Sequence, residues 1–184
     1  MTILVSPLSR VHKVIAEYRP GRIVSLLDPQ MAFPDTGPNY VDKHLRVHVH
    51  DITEDVEGWI APEAGHIETL LKFIGDWDET GPMLVHCYAG ISRSTATAFI
   101  AACMHNPDVD EVVIAKALRA ASPTAQPNRR IVQLADLALG RRGHMLYAAE
   151  SIGRGASFYE TGEAEPFALP SYFAPQQTPP PKKK

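Results

Sequence analysis

Short apolar runs alternate with stretches of helical period along most of this chain. Ile3-Leu4-Val5-Ser6 predicts a strand at a sheet edge. Ser9 is placed to cap a helix with Val11, Val14 and Ile15 on one face, and Pro20-Gly21 ends it. Arg22 to Leu27 reads as a buried strand. Asp28 to Tyr40 holds Pro29, Pro34, Gly37 and Pro38, which predicts a long loop of the kind that carries function. Leu45, Val47 and Val49 alternate with polar residues in a strand that runs to His50. His44, His48 and His50 then share its other, solvated face. Asp51 to Gly58 is an acidic loop, and Pro62 suits the first turn of a helix striped by Ile67, Leu70, Leu71 and Ile74. Gly81-Pro82 turns the chain into Met83-Leu84-Val85, which reads as a central parallel strand. An alanine-rich helix follows from about Ser92 to Met104, stopped at Asn106-Pro107. Asp108 caps the next, with Val112, Ala115 and Leu118 inward. A last core helix carries Ile131, Val132, Leu134, Ala135 and Leu137 up to Gly140.

Beyond Gly140 the pattern weakens. Arg141 to Gly155 predicts one more helix, around Met145-Leu146. From Glu163 there are six prolines and a final Lys182-Lys183-Lys184, which reads as an extended, poorly packed tail with solvated charges. The expected organisation is one domain over 1–155 and a proline-rich tail over 156–184. Phe158 and Tyr159 complete the core if the tail is more than a tail. A formal charge of -3 argues against a nucleic-acid binder held by phosphate attraction. No apolar run reaches the ~20 residues of a membrane span. Met1-Thr2-Ile3-Leu4-Val5 lacks the basic-then-apolar order of a secretory signal. Two cysteines, Cys87 and Cys103, build no disulfide framework, so reduced thiols in the cytoplasm are expected.

Chemistry concentrates in His86-Cys87-Tyr88-Ala89-Gly90-Ile91-Ser92-Arg93-Ser94, between the central strand and the alanine-rich helix. A cysteine there stands at the carboxyl end of a strand, where α/β sheets bind ligands. The amides of Tyr88, Ala89, Gly90, Ile91 and Ser92 wrap toward a helix N-terminus and converge on one anion. Arg93, six residues after Cys87, grips two phosphate oxygens with its guanidinium fork. A thiol beside an arginine and a helix N-terminus falls from about 8.5 to roughly 3.5–7.5, which makes the thiolate nucleophile. Ser94 is placed to donate to that thiolate and improve it as a leaving group. Together these parts describe phosphoryl transfer through a cysteinyl-phosphate.

These residues resemble the signature of the protein tyrosine phosphatase superfamily, His-Cys-x5-Arg-Ser/Thr, filled here by His86, Cys87, Arg93 and Ser94. Pro127-Asn128-Arg129-Arg130-Ile131-Val132-Gln133-Leu134 is similar to the helix that follows the signature in dual-specificity-type members. The resemblance covers about residues 1–140. It implies a three-layer α/β/α fold with a mostly parallel central sheet. It also implies a two-step reaction that needs neither metal nor cofactor, and a phosphorylated protein or small phosphorylated substrate. The family's general acid is an aspartate on a loop about thirty residues before the cysteine. Asp51, at the end of a predicted strand, is the better candidate and Asp55 the second. In the family, the histidine at His86 shapes the loop and helps depress the thiol pKa; a satisfied core histidine is the alternative. Asn128 either orients water or caps its helix. Gln126 is an alternative for the water. Cys103 reads as a small buried hydrophobe, with a resolving-thiol role as the minor option. Tyr-Ala-Gly-Ile-Ser between Cys87 and Arg93 contains no lysine, which disfavours a highly charged inositol head group. Two rivals to a protein phosphatase stay open: a pseudophosphatase that only binds phosphorylated partners, and a phosphatase for a small metabolite or nucleotide.

Overall fold

The strands bury alternate side chains on two faces, and that period builds three layers. A computed structural model describes residues 1–156 and 162–175. Its sheet has strands β1 (Thr2–Pro7), β2 (Arg22–Leu27), β3 (His44–His48), β4 (Met83–Cys87) and β5 (Phe167–Pro170), in the order β3-β2-β4-β1-β5. The first four run parallel, and β5 is antiparallel to β1. Ile3 and Val5, Val24 and Leu26, and Met83 and Val85 point into the main core. Leu4, Ile23 and Leu84 point the other way, against Val11 and Val14 of helix α1 (Val11–Tyr18). The main core is covered by α2 (Ala64–Gly75), α3 (Arg93–His105), α4 (Glu111–Ala121), α5 (Arg129–Ala138) and α6 (His144–Ser151). This is the α/β/α fold that the signature implied.

Several expectations need correction. β1 is not an edge strand, because β5 covers its outer side with Thr2 opposite Pro170 and Val5 opposite Phe167. The segment read as tail therefore returns to the sheet. Leu169 is fully buried, Ser171 N donates to Met1 O at 3.1 Å, and Ser9 Oγ donates to the Glu163 carboxylate at 2.7 Å. Phe158, Tyr159 and Lys182-Lys183-Lys184 lie outside the described residues. Asp110, not Asp108, caps α4, accepting from Val112 N at 2.8 Å. Helix α2 starts at Ala64, after Pro62, with Glu63 as its cap. Leu137 is 70% exposed, because α5 buries Ile131, Val132, Ala135 and Asp136 instead. The buried Asp136 carboxylate accepts from Gly143 N at 2.6 Å and Met145 N at 2.7 Å, so a charged residue holds the start of α6.

Truncating Leu169 to alanine leaves a cavity between β5 and the core. Its expected cost is about 2–5 kcal/mol, read as a lower urea midpoint. An unchanged midpoint would mean that β5 contributes nothing to stability.

Candidate active site

Cys87 is the last residue of β4, and the loop after it bends only because Gly90 permits it. Gly90 has φ +73°, and a Cβ there would stand 2.9 Å from Pro7 N. The loop's carbonyls are tied outward. Leu8 N donates to Tyr88 O (3.0 Å), Ala164 N to Ala89 O (2.8 Å), Gln126 N to Ile91 O (2.9 Å) and Asn128 N to Ser92 O (3.2 Å). Among the described residues, the amides of 88–92 donate to no other backbone group. With carbonyls turned out, those amides are left for an anion at the N-terminus of α3.

Arg93 is only 3% exposed, so its charge needs partners. Its Nη1 donates to Asp28 Oδ1 and to Val49 O, both at 2.6 Å. Its Nε is buried and has no hydrogen-bond partner among the described residues. Asp51 Oδ2 lies 3.8 Å from it, too far for a hydrogen bond. One edge of the guanidinium is thus held by protein while Nε remains a donor without an acceptor. Cys87 Sγ is 3.1 Å from Ser94 Oγ.

Asp51 stands over this loop. Its Oδ1 accepts from Ser92 Oγ and from Asn128 Nδ2, each at 2.7 Å. Asn128 also caps α5, its Oδ1 accepting from Ile131 N at 3.0 Å. It therefore both starts the helix and holds the carboxylate. Asp55 faces outward, 84% exposed, in an ion pair with Arg130 at 2.8 Å. His50 anchors the loop between them: its backbone N donates to Ile60 O, its Nδ1 accepts from Ile60 N, and its ring lies 4.6 Å from that of Trp59.

Cys87, Arg93, Asp51, Asn128, Tyr88, Ala89, Ile91 and Ser92 line one open cleft of ≈ 700 Å³. Gly90 lies beneath it against β1, and Ser94 reaches it through the thiol. Gln126 lines the rim. Asp28 also lines the cleft and was not singled out from the sequence. Its only local signal was its place at the start of a long loop after a strand. Cys103 sits fully buried in the core, ten residues along α3 from Arg93 and so about 15 Å up the axis. Burial pushes its thiol up, which suits a small hydrophobe and not a redox partner. Among the described residues, no three side chains form a cluster able to hold a metal ion.

The sequence-level model of the protein-tyrosine phosphatase family matches residues 41–125, from the third strand through the cysteine loop to the turn before α5. Over that stretch, which carries Cys87, Arg93 and Ser94, the chain is similar to the protein-tyrosine phosphatases. Solved phosphatases share its fold. DUSP15 is 23% identical with a TM-score of 0.55, over 83% of this chain and 92% of that one. Human DUSP28 is 20% identical with a TM-score of 0.53, over 74% and 88%. PTPMT1 in complex with PI(5)P is 12% identical with a TM-score of 0.52, over 75% and 91%. No curated protein matches the sequence. No helix among the described residues is long and apolar enough to cross a membrane.

The histidines of this chain depart from the solvated face expected of β3. His48 is exposed, but His44 and His50 are buried. His44 and His86 are both held at about 4, against an ordinary 6.5, mainly because burial disfavours the charged ring. The unfolded chain thus takes up two protons near pH 6.5 that the folded chain refuses until about pH 4. Stability is full above pH 6.5 and is lost on acidification through that window, at up to ~1.4 kcal/mol per pH unit per histidine. Urea midpoints measured from pH 7 to pH 4.5 should fall steadily; a flat profile would contradict the burial of neutral rings.

Proposed function

We propose that this phosphatase hydrolyses phosphate monoesters, foremost on phosphotyrosine-type protein substrates, through a cysteinyl-phosphate. The observation that carries the reading is the buried, partnerless Nε of Arg93 in the cleft that holds Cys87 and Asp51. Such a donor is costly unless an oxyanion completes it. In this reading Cys87 Sγ attacks phosphorus. Arg93 and the amides of 88–92 bind the non-bridging oxygens as charge builds on them. Asp51 gives its proton to the leaving oxygen. Asp51 then takes a proton from water as that water attacks phosphorus and the S–P bond breaks. Ser94 donates to the departing thiolate. Ser92 and Asn128 hold the Asp51 carboxylate in place throughout.

The lining also bears on the substrate. Ile52, Val56, Tyr88, Ile91 and Pro127 give apolar walls suited to an aryl group. Glu54 and Asp28 add negative charge, and Arg129 at the rim is paired with Glu150 at 2.7 Å. A second anionic group on the substrate would meet carboxylates, so the PI(5)P seen with PTPMT1 is a poor guide here. The test is a panel in EDTA: an aryl phosphate, a phosphotyrosine peptide, a phosphoserine peptide and PI(5)P. Turnover of the first two is expected. Preference for PI(5)P would overturn the substrate class, and no turnover of any would favour a binding module.

Asp51→Asn keeps an oxygen for Ser92 and Asn128 but carries no transferable proton. Its expected effect is a kcat about 10²-fold lower on substrates with poor leaving groups, and much less on a nitrophenyl ester. Equal losses on both would remove Asp51 from the role of acid.

A further inference from the structure

Behind the cysteine loop, four side chains form one line of hydrogen bonds. His86 Nδ1 is 3.4 Å from Cys87 O, and His86 Nε2 is 2.5 Å from Ser25 Oγ. Ser25 Oγ is 2.6 Å from His44 Nε2, and His44 Nδ1 is 3.2 Å from Thr36 Oγ1. Ser25 and His86 face each other in register across β2 and β4. Both are fully buried, and His44 nearly so. Thr36 belongs to the long loop that begins at Asp28, the partner of Arg93.

The protons in this line have one arrangement. A carbonyl only accepts, so His86 Nδ1 carries hydrogen. A neutral imidazole has one N–H, so His86 Nε2 accepts and takes the Ser25 hydroxyl proton. Ser25 Oγ then accepts from His44 Nε2–H. His44 Nδ1 is left bare and accepts from Thr36 Oγ1–H. Both rings must be neutral for this order, and their surroundings favour that. Burial chiefly disfavours the charged form of both rings; Arg46 on β3 adds to this at His44 and His12 of α1 at His86, while the bond to Cys87 O works the other way at His86.

We propose that His44 and Ser25 are positioning residues for Cys87, acting by fixing the tautomer of His86. This rests on Cys87 being the nucleophile. With Nδ1–H toward Cys87 O, the positive end of an N–H dipole lies against the peptide that carries the thiol. Without the His44 donor, the Ser25 hydroxyl is free to turn, and His86 can move its proton to Nε2. A nitrogen lone pair then faces Cys87 O, and the negative field opposes the thiolate. The line also links the thiolate to the 28–40 loop, whose first residue grips Arg93.

The test is the pH dependence of Cys87 alkylation by iodoacetamide, followed by mass spectrometry, with buried Cys103 as internal reference. It needs no turnover, so it stands apart from the substrate panel. In Ser25→Ala and His44→Leu the midpoint should rise by about one pH unit, a tenfold loss of thiolate below it. His44→Gln restores an N–H donor and should return the midpoint toward wild type. Unchanged midpoints in folded Ser25→Ala and His44→Leu would overturn the proposal, as would a His44→Gln protein as shifted as His44→Leu. If those variants do not fold, nitrogen-15 NMR of the wild-type protein decides. His86 should be the Nδ1–H tautomer and His44 the Nε2–H tautomer, and the reverse in either ring would overturn the assignment.

Discussion

Cys87→Ser protein is expected to hydrolyse aryl phosphates at least ~10⁴-fold more slowly than wild type while still binding a phosphotyrosine peptide. The reasoning starts from the geometry. Cys87 is nearly buried, its Sγ sits 3.1 Å from Ser94 Oγ, and an oxygen in its place fills less space, so the loop should keep its shape. Arg93 and the amides of 88–92 do not depend on the sulfur, so binding survives. A hydroxyl is ionised far less readily than a thiol, so only the bond-making step is lost. Removing a nucleophile outright costs on the order of 10⁴–10⁶ in kcat, and the binding residues supply what remains. Steady-state rates in EDTA, with peptide affinity measured alongside, separate the two effects. Turnover within tenfold of wild type would end the cysteinyl-phosphate mechanism. Loss of peptide binding as well would show that the substitution disturbs the loop itself.

Arg93→Lys keeps the charge and is nonetheless expected to lower kcat/KM by about 10³-fold. Arg93 makes contacts that one ammonium cannot reproduce. Nη1 bridges Asp28 and Val49 O on one edge while Nε stays available on the other. A lysine head that satisfies Asp28 has no second planar edge for an oxyanion. One that turns to the oxyanion leaves Asp28 and Val49 O without their donor. The loss should appear in kcat as well as KM, because the contacts strengthen as charge develops on phosphorus. A fall confined to KM would mean that Arg93 only binds the ground state. Asp28→Asn supplies the companion experiment, since it loosens the clamp and leaves the guanidinium in place.

Much of this site could be read before the fold was known, because its parts are close in sequence. Cys87 to Ser94 is one short segment between a strand and a helix, and local spacing alone describes an anion cradle. Asp51 was placed by the family resemblance, which puts an acid about thirty residues before the cysteine, together with the end of a strand that alternation made visible. Asp28 was not, since its partner lies sixty-five residues away and nothing about one aspartate after an apolar run announces it. Ala164 was hidden for the same reason, and its amide holds Ala89 O from a segment whose prolines suggested no packing. Period also tells which face is buried but not which strands are neighbours. β1 therefore read as an edge, and β5, only four residues long, went unseen. His44 was assigned to water by alternation. Its actual environment is decided by Thr36 and by Ser25, one on the loop before it and one on the strand beside it.

The seam between β1 and β5 bears on how the protein is made. Thr2 pairs with Pro170, so β1 waits for β5, which is synthesised long after it. A ribosome adding ~5–20 residues per second leaves β1 with an open side for much of that interval. During it the nascent chain exposes a strand edge to its neighbours, and Ala89 lacks the amide that will restrain it. Competence for catalysis should therefore arrive late in synthesis, after the cysteine, arginine and aspartate have all emerged.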